Sequence, residues 1–406
     1  ASLCNCSIGY RNKINLGCVV RTLPLQVIGR DEAIFSNKTD CFTRRLVRND
    51  NQQVIARNEA ISISKTDCFT PFHSARNDIR ILIIFIFMLF TFPMLAQNAE
   101  PKLHGYIQIR FTTNFENTND FMIRRAKLWV DGNAPGLENI SYKIQMVYRS
   151  FKDEAVMLQD AFADVKFNKI GSLRAGRFVP DFMLQRMQPD YEIPVLERAL
   201  VINGLIHSSK SMARQLGVQF TYQPNYFPIH FSFGVFNANL ESPGINKDQN
   251  LLYTFRAQVN LIKNDNTLFE VGASGAYRYA KSITMNTIYD ADELITGNDY
   301  RFGLEFQMIY KSFGFQSEYV QANINQDKAW GYYGLATLYL ISDLQLTGFI
   351  EKYSDLNPAT TGNEWYGAGV NYYFTDKTKL MTDFRTQFTS EKNNYLSQIQ
   401  FQIFFN

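Results

Sequence analysis

The stretch that decides the fold is the C-terminal segment 395–406, YLSQIQFQIFFN, in which apolar side chains alternate with glutamines. Successive side chains of a β-strand point to opposite faces, so this alternation predicts a strand with one apolar and one polar face. The apolar face carries Ile399, Phe401, Ile403 and Phe405, and the polar face carries Gln398, Gln400 and Gln402. Such a strand separates an apolar environment from an aqueous one.

About sixteen stretches of this kind follow one another in residues 97–406. The clearest are 104–115, 140–149, 251–262, 299–311 and 395–405. The breaks between them alternate between tight ones, as at 264–266, and long ones, as at 183–211. Amphipathic strands of about ten residues, with short turns at one rim and long loops at the other, are the signature of a transmembrane β-barrel. We therefore predict an all-β, transmembrane antiparallel β-barrel of about 16 strands, whose last strand pairs with the first near residues 106–112 because an unpaired edge is prohibitive in hydrocarbon.

A soluble β-sandwich or propeller is the main alternative fold. The outward faces of soluble sheets favour Lys, Glu and Thr, whereas the polar partners here are mostly Gln, Ser, Thr and Asn with sparse, mixed charges. That composition suits a water-filled lumen, and the apolar faces then meet lipid. Aromatic residues near predicted strand ends, among them Tyr106, Trp129 and Phe405, match the girdles found at membrane interfaces, although each could instead belong to a hydrophobic core.

The first 97 residues differ from the rest in composition. They carry 12 Lys/Arg and 7 Asp/Glu, which leaves 29 basic and 31 acidic residues downstream, so the barrel is not a basic protein in bulk and no nucleic-acid partner is expected. All five cysteines precede residue 70, and their spacing fits neither a zinc site nor a redox pair. The segment 30–43 is repeated at 57–70 without a periodic apolar face. We interpret residues 1–78 as a spurious N-terminal extension; a disordered presequence is the alternative.

Residues 79–96 form a predicted signal peptide. An apolar run of about 15 residues follows Arg76 and Arg80, is too short for a comfortable membrane span, and ends in a small residue. We expect cleavage between Ala96 and Gln97; a retained N-terminal anchor is the alternative. Export followed by a lipid-facing barrel predicts an outer-membrane location, and the family resemblance given below implies the outer membrane of a Gram-negative bacterium.

The strand phase also predicts which residues line the pore. With each apolar set placed outside, the inward basic side chains on the strands include Arg110, Arg125, Lys127, Lys143, Arg149, Arg256, Arg278, Arg301, Lys311 and Arg385. The inward acids include Asp131, Asp160, Asp164, Glu270, Glu305, Glu318, Glu351 and Asp383. Basic side chains on a lumen wall favour anions, because a low-dielectric wall focuses their field. The alternative is that these charges pair across strands and only keep the lumen wet.

The break at 183–211 is unusually long and contains Arg186, Arg198 and Lys210. Long loops in compact structures are functional or disordered. A loop folded into a wide barrel would narrow the channel and place its arginines at the constriction, so Arg198 joins the candidate anion-binding residues.

Five short motifs resemble the phosphate-selective porins of the O/P type. They are 121–128 (FMIRRAKL), 175–180 (AGRFVP), 197–200 (ERAL), 213–219 (ARQLGVQ) and 234–237 (GVFN). The resemblance implies a sixteen-stranded barrel, usually trimeric, with an inward third extracellular loop, which passes phosphate or related anions along a ladder of basic side chains. Arg125, Lys127, Arg177, Arg198 and Arg214 lie in the matching motifs.

These observations lead us to expect an outer-membrane porin, without cofactor or metal, for passive diffusion of small hydrophilic solutes, with a preference for small anions such as phosphate. Two alternatives stay open: a general non-selective porin, and a barrel that binds a partner through its long extracellular loops. An enzyme is not expected, because His104, His207 and His230 are far apart and no GxSxG or HExxH motif is present.

Overall fold

The computed structural model describes residues 100–149, 155–167, 170–205, 207, 213–224, 227–238, 250–289, 293–356, 363–388 and 393–405, and the backbone of four short strands before residue 60. The chain divides into two units, 1–89 and 90–406. The predicted signal peptide, 79–96, and most of the extension 1–78 lie outside the described residues.

The first unit contains two small antiparallel sheets. Strand β1 (Cys4–Cys6) pairs with β2 (Leu16–Cys18), and β3 (Arg44–Arg48) pairs with β4 (Val54–Asn58).

The second unit is a closed barrel of sixteen antiparallel strands, as predicted. The strands are β5 (Lys102–Thr113), β6 (Asn119–Ala134), β7 (Leu137–Arg149), β8 (Ala155–Phe167), β9 (Gly171–Phe178), β10 (Gln215–Tyr222), β11 (Ile229–Asn237), β12 (Leu251–Asn264), β13 (Thr267–Thr284), β14 (Leu294–Tyr310), β15 (Phe313–Ile324), β16 (Asp327–Ile341), β17 (Leu344–Ser354), β18 (Asn363–Tyr373), β19 (Lys379–Gln387) and β20 (Asn394–Phe405). No helix in the described ranges is long and apolar enough to cross a membrane.

The last strand closes the barrel on the first, with register Ser397↔Thr113 to Phe405↔Gly105. The apolar side chains of β20 are 36–46% exposed on the outer surface, whereas Gln398, Gln400 and Gln402 are at most 7% exposed and point inward. Gln402 accepts a hydrogen bond from Gln108 across this seam, at 2.8 Å. The predicted pairing and the predicted faces of the terminal strand are therefore confirmed.

Two aromatic residues depart from the expected girdle positions. Tyr106 and Trp129 are 1% and 7% exposed and point into the barrel, whereas Phe405 is 40% exposed on the outside. Tyr106 shares its strand face with the inward Gln108, so the two-residue period of β5 itself places Tyr106 in the lumen. The girdle assignment of Tyr106 and Trp129 was wrong because nearness to a strand end does not decide which face a side chain occupies.

The described residues of the connection between β9 and β10, namely 179–205, 207, 213 and 214, lie inside the barrel. This connection follows the connections 114–118 and 150–154 at the same rim, so it is the third loop on the side of the longer connections. It contains two short helices, α1 (Leu184–Met187) and α2 (Leu200–Gly204). The predicted inward fold of this long loop is confirmed, and we call it the inner loop.

Candidate functional site

Two carboxylates attach the inner loop to the first strands of the barrel. Glu197 accepts hydrogen bonds from Arg110 Nη1 at 2.6 Å, Arg124 Nη2 at 2.9 Å and Arg125 Nη2 at 3.1 Å. Asp190 forms ion pairs with Lys127 and Arg198, and lies 3.7 Å from Arg125 Nε. These residues, Arg110, Arg124, Arg125, Lys127 and Arg198 with Asp190 and Glu197, form what we call the basic cluster. Five cations share two carboxylates, so the basic cluster is locally positive.

The pKa values of the two loop carboxyl groups reflect this excess of positive charge. Burial acts to raise the pKa of Asp190, but Arg198, Lys127 and Arg125 outweigh it and hold the pKa well below its ordinary value. For Glu197, burial is likewise outweighed by Arg125, Arg124 and Arg110, which lower its pKa well below the ordinary range. Both groups are therefore anionic at neutral pH and hold the loop by charge-assisted hydrogen bonds.

Carboxylates on the wall bind the loop from the opposite side. Glu318 on β15 accepts the backbone N–H groups of Leu184 and Gln185 at 2.8 and 2.7 Å, at the start of α1. Glu351 on β17 accepts the backbone N–H of Leu200 at 2.8 Å, at the start of α2. Unpaired N–H groups at helix starts need such acceptors. The loop is thus fixed to both sides of the lumen.

Backbone carbonyl groups of the segment between the helices bind the strands near the seam. Lys379 Nζ donates to the carbonyl oxygen of Ile193 at 3.0 Å, and Asn371 Nδ2 donates to that of Pro194 at 2.7 Å. Gln402 Nε2 donates to the carbonyl of Tyr191 at 3.2 Å. Because β18, β19 and β20 bind one stretch of loop, the chain crosses the lumen rather than lining one wall.

Apolar packing fills much of the space between the inner loop and the wall around strands β12 and β15. Loop residues Phe182, Val201 and Leu205 pack against a wall that includes Leu252 and Ala322. A further connection, between β13 and β14, adds buried apolar side chains to the same cluster, among them Met285, Ile288 and Tyr289. The described residues of this region thus include a packed hydrophobic core.

Open space lies between the inner loop and strands β6–β9. A cavity of about 370 Å³ there is lined by residues of both the wall and the loop. A second cavity, of about 620 Å³, shares the lining residues Trp129, Lys143 and Phe162 with it and extends toward residues 131–133 and 141–142, near the tight turn between β6 and β7. The two cavities lie next to each other beside the loop, and we refer to the smaller one as the constriction.

The constriction carries six basic and two acidic side chains. The basic ones are Lys127, Lys143, Arg174, Arg186, Arg198 and Arg214, and the acidic ones are Asp160 and Asp190. Arg214 pairs with Asp160 at 2.8 Å, and Arg174 pairs with Asp164 at 2.8 Å. Lys143 and Arg186 form no ion pair with any residue that the structure describes, and Arg186 Nε is buried without a hydrogen-bond acceptor.

Among the described cations of the inner loop, Arg186 has the least compensation. Burial, together with the charges of Arg198 and Arg214, lowers the pKa of its guanidinium well below the ordinary value. A guanidinium nevertheless stays protonated in proteins. A charge that is half-buried, unpaired and beside other cations is stabilised by an anion that enters the constriction.

The predicted pore-lining residues fall into three groups in the structure. Arg110, Arg125, Lys127 and Arg198 belong to the basic cluster, and Lys143 lines both cavities. Four other arginines are buried in ion pairs: Arg256 pairs with Glu305, Arg278 and Arg301 both pair with Asp299, and Arg385 pairs with Asp383. The side chain of Arg149 lies outside the described residues, and Lys311 is exposed in the tight turn between β14 and β15.

Pairing with wall carboxylates therefore accounts for many inward charges. It crosses strands for Arg256 and Arg278, as the alternative interpretation expected, but Arg301 pairs with Asp299 and Arg385 with Asp383 along one strand. The surplus is concentrated on one side, in the basic cluster and at the constriction. Lys311 is exposed in a turn with φ of 52°, and its Nζ lies 5.4 Å from the centroid of the Tyr310 ring, so it is not brought together with the other predicted residues.

Sequence reasoning missed Arg124 for a specific physical reason. Strict alternation puts Arg125 inside and its neighbour Arg124 outside. The structure has a β-bulge here, since Gln108 pairs with Arg125 and Ile109 pairs with Ile123. The extra residue lets both arginines reach Glu197. Two consecutive arginines on an apolar strand are the signal that could have indicated it.

Solved structures with the same architecture are outer-membrane porins. OmpF of Salmonella typhi, in a complex with daunomycin, superposes with a TM-score of 0.56 at 14% identity, over 75% of this chain and 97% of that one. OmpT of Vibrio cholerae, folded in vitro, gives 0.52 at 11% identity, over 77% and 100%. Its loop L8 deletion variant gives 0.51 at 13% identity, over 75% and 99%. The fold is that of a Gram-negative outer-membrane porin.

The family model "Phosphate-selective porin O and P" matches residues 104–402, which is nearly the whole barrel. The chain belongs to this family, and the protein is an outer-membrane porin, a channel rather than an enzyme. A search of curated proteins yields no match.

Proposed function

We propose that this porin gives passive diffusion to small hydrophilic solutes and prefers anions, with phosphate as the representative solute. The observation that carries the proposal is the charge of the constriction, where six basic side chains face two acidic ones. A charge of one sign on a narrow, low-dielectric wall raises the local concentration of counter-ions. Arg186 and Lys143 contribute most, because neither forms an ion pair with a described carboxylate.

A general, non-selective porin is the second candidate, and the ion pairs favour it. Arg256, Arg278, Arg301 and Arg385 are each neutralised by an adjacent carboxylate. If the solute path met only these pairs, the channel would discriminate little between anions and cations. The preference therefore depends on whether solutes pass beside the basic cluster, where the surplus charge lies.

We also propose that the porin assembles as a homotrimer surrounded by outer-membrane lipid. The outward belt of apolar side chains suits contact with lipid, and it includes Ile107, Val218, Phe233, Leu304 and Ile399. The trimer follows from what is usual in the family. Native mass spectrometry of detergent-purified protein tests it, and a monomer that still forms channels would contradict it.

Planar-bilayer recording of the purified barrel tests the ion preference. Under a tenfold KCl gradient, the reversal potential of an anion-preferring pore has the sign set by chloride. Added inorganic phosphate should then reduce the chloride current by competing for the same cations. A reversal potential of the cation-selective sign contradicts the anion preference, and the lack of any channel contradicts the porin function.

A further inference from the structure

The constriction is lined by aromatic rings as well as by cations. Trp129, Phe162 and Tyr191 all border the cavity of about 370 Å³. The guanidinium carbon of Arg174 lies 4.1 Å from the centroid of the Phe162 ring, and Lys143 Nζ lies 5.1 Å from that of Trp129. Phe162 and Tyr191 are half-buried, so part of each ring is accessible from the cavity.

A small hydrated anion makes no use of such rings. Inorganic phosphate is recognised by cations and hydrogen-bond donors, and neighbouring aromatic surface adds no favourable contact with its oxygen atoms. A molecule that carries both an anionic group and a flat ring can use both features, through offset or edge-on contacts with the aromatic side chains and through the guanidinium plane. The cavity volume also falls in the range of sites that enclose small organic molecules.

The basic and aromatic groups are divided between the two sides of the constriction. Arg186 comes from the inner loop, Lys143 and Phe162 come from the wall, and Tyr191 comes from the loop. A molecule in the cavity therefore meets a cation and a ring on each side. The loop is held in place by the basic cluster, so this arrangement exists before any solute enters.

We propose that the constriction is a binding subsite for organic anions in which a planar ring is attached to a phosphate or carboxylate group. The anionic group interacts with Arg186 and Lys143, and the ring contacts Phe162 and Tyr191. This inference rests on the proposed anion preference and narrows the class of solute that the same site favours.

Channel block by two matched phosphate monoesters tests the subsite. Phenyl phosphate and methyl phosphate carry the same anionic group, and they differ in the ring. At pH 8 we expect phenyl phosphate to reduce the chloride conductance by half at a concentration about 2- to 10-fold lower than methyl phosphate does, the range that an aromatic contact contributes. Equal potency of the two esters would overturn the proposal, and so would the lack of block by either.

Variants that remove single rings locate the effect. Phe162→Leu and Tyr191→Leu keep an apolar side chain but lose the ring, so each should reduce the preference for phenyl over methyl phosphate. Phe233→Leu is the matched control, because Phe233 is 43% exposed on the outer surface, away from the lumen. A preference that survives both ring variants, or that disappears in the control as well, would contradict the assignment.

The reversal potential separates this inference from the function on which it rests. If the channel favours chloride over potassium but is blocked equally by the two esters, the result supports the anion preference and contradicts the subsite. A channel without anion preference in the KCl gradient overturns the proposed function, whatever the esters do.

Discussion

Glu197→Gln tests whether the basic cluster holds the inner loop in place. The carboxylate of Glu197 accepts hydrogen bonds from three guanidinium groups, which belong to Arg110, Arg124 and Arg125. Glutamine keeps the shape of the side chain but removes the charge. Asp190 is then the one carboxylate that remains for five cations in the basic cluster.

The expected magnitude follows from the burial of this group. Removing one partner of a buried ion pair costs about 3 to 5 kcal/mol, because the other charge stays buried. The Glu197 side chain is 21% exposed to lumen water, which places the cost near the lower limit, at about 3 kcal/mol. At about 1.4 kcal/mol per factor of ten, the ratio of released to attached loop rises roughly 100-fold. Residues 188–198 are affected most, since Glu318 and Glu351 still hold the two helices.

Single-channel recording in a planar bilayer measures both consequences. Release of the loop increases the open-channel noise, and the lost negative charge moves the reversal potential further in the anion-selective direction. Glu197→Asp keeps the charge but shortens the side chain, so it should raise the noise with little change in reversal potential. Glu138→Gln, in the exposed start of β7, is the control for a lost surface charge. Wild-type noise and wild-type reversal potential in Glu197→Gln would refute the reasoning.

Three further results are expected. Arg186→Gln should lower the anion-to-cation permeability ratio, because the variant removes an unpaired cation from the constriction. Lys311→Gln, in an exposed turn, is the control and should leave the ratio unchanged. Equal ratios in the two variants would argue against a solute path through the constriction. The excess channel noise of Glu197→Gln over wild type should be the same at pH 8 and at pH 5. The Glu197 carboxyl group has a pKa below its ordinary 4.5, so its contribution is present above that value and is lost only as the pH falls through the lower folded-state pKa. Gly176→Ala should lower the free energy of unfolding by about 2 kcal/mol or more, measured by urea titration in lipid vesicles. The reason is that Gly176 has φ of +134° and that a Cβ atom there would lie 2.3 Å from the Ala161 carbonyl oxygen. Gly275→Ala, where a Cβ meets no atom within 4 Å, is its control and should stay within about 0.5 kcal/mol of wild type.

Much of the barrel could be predicted because its strands obey a local rule. Ile399 and Gln400 occupy opposite faces whatever the rest of the chain does, so a period of two residues identifies both surfaces. The pairing of the last strand with the first also follows without coordinates, because a barrel in a membrane cannot leave an edge unpaired. The predicted inward loop depended on its length and on the family resemblance.

The candidate site was less predictable, because the local rule fails where the structure departs from regular alternation. The bulge opposite Gln108 brings Arg124 into the lumen, and the phase of β6 gives no sign of it. Lys311 follows the phase of its strand yet lies in a turn. The neutralisation of lumen charges could not be predicted either. Arg278 and Arg301 were predicted as two lumen cations, but both form ion pairs with Asp299.

The sequence by itself determined that this chain closes into a lipid-facing barrel with a polar interior, because the alternation of apolar and polar side chains is encoded residue by residue. The tertiary structure alone decided where that interior is open. Phe182, Val201 and Leu205 of the loop fill one side with an apolar core, while Asp190 and Glu197 attach the same loop to the opposite wall. Whether a lumen charge is free or neutralised depends on its partner, which can be 87 residues away, as Glu197 is from Arg110, or two, as Asp299 is from Arg301. Only the folded chain decides which of these carboxylates comes within reach.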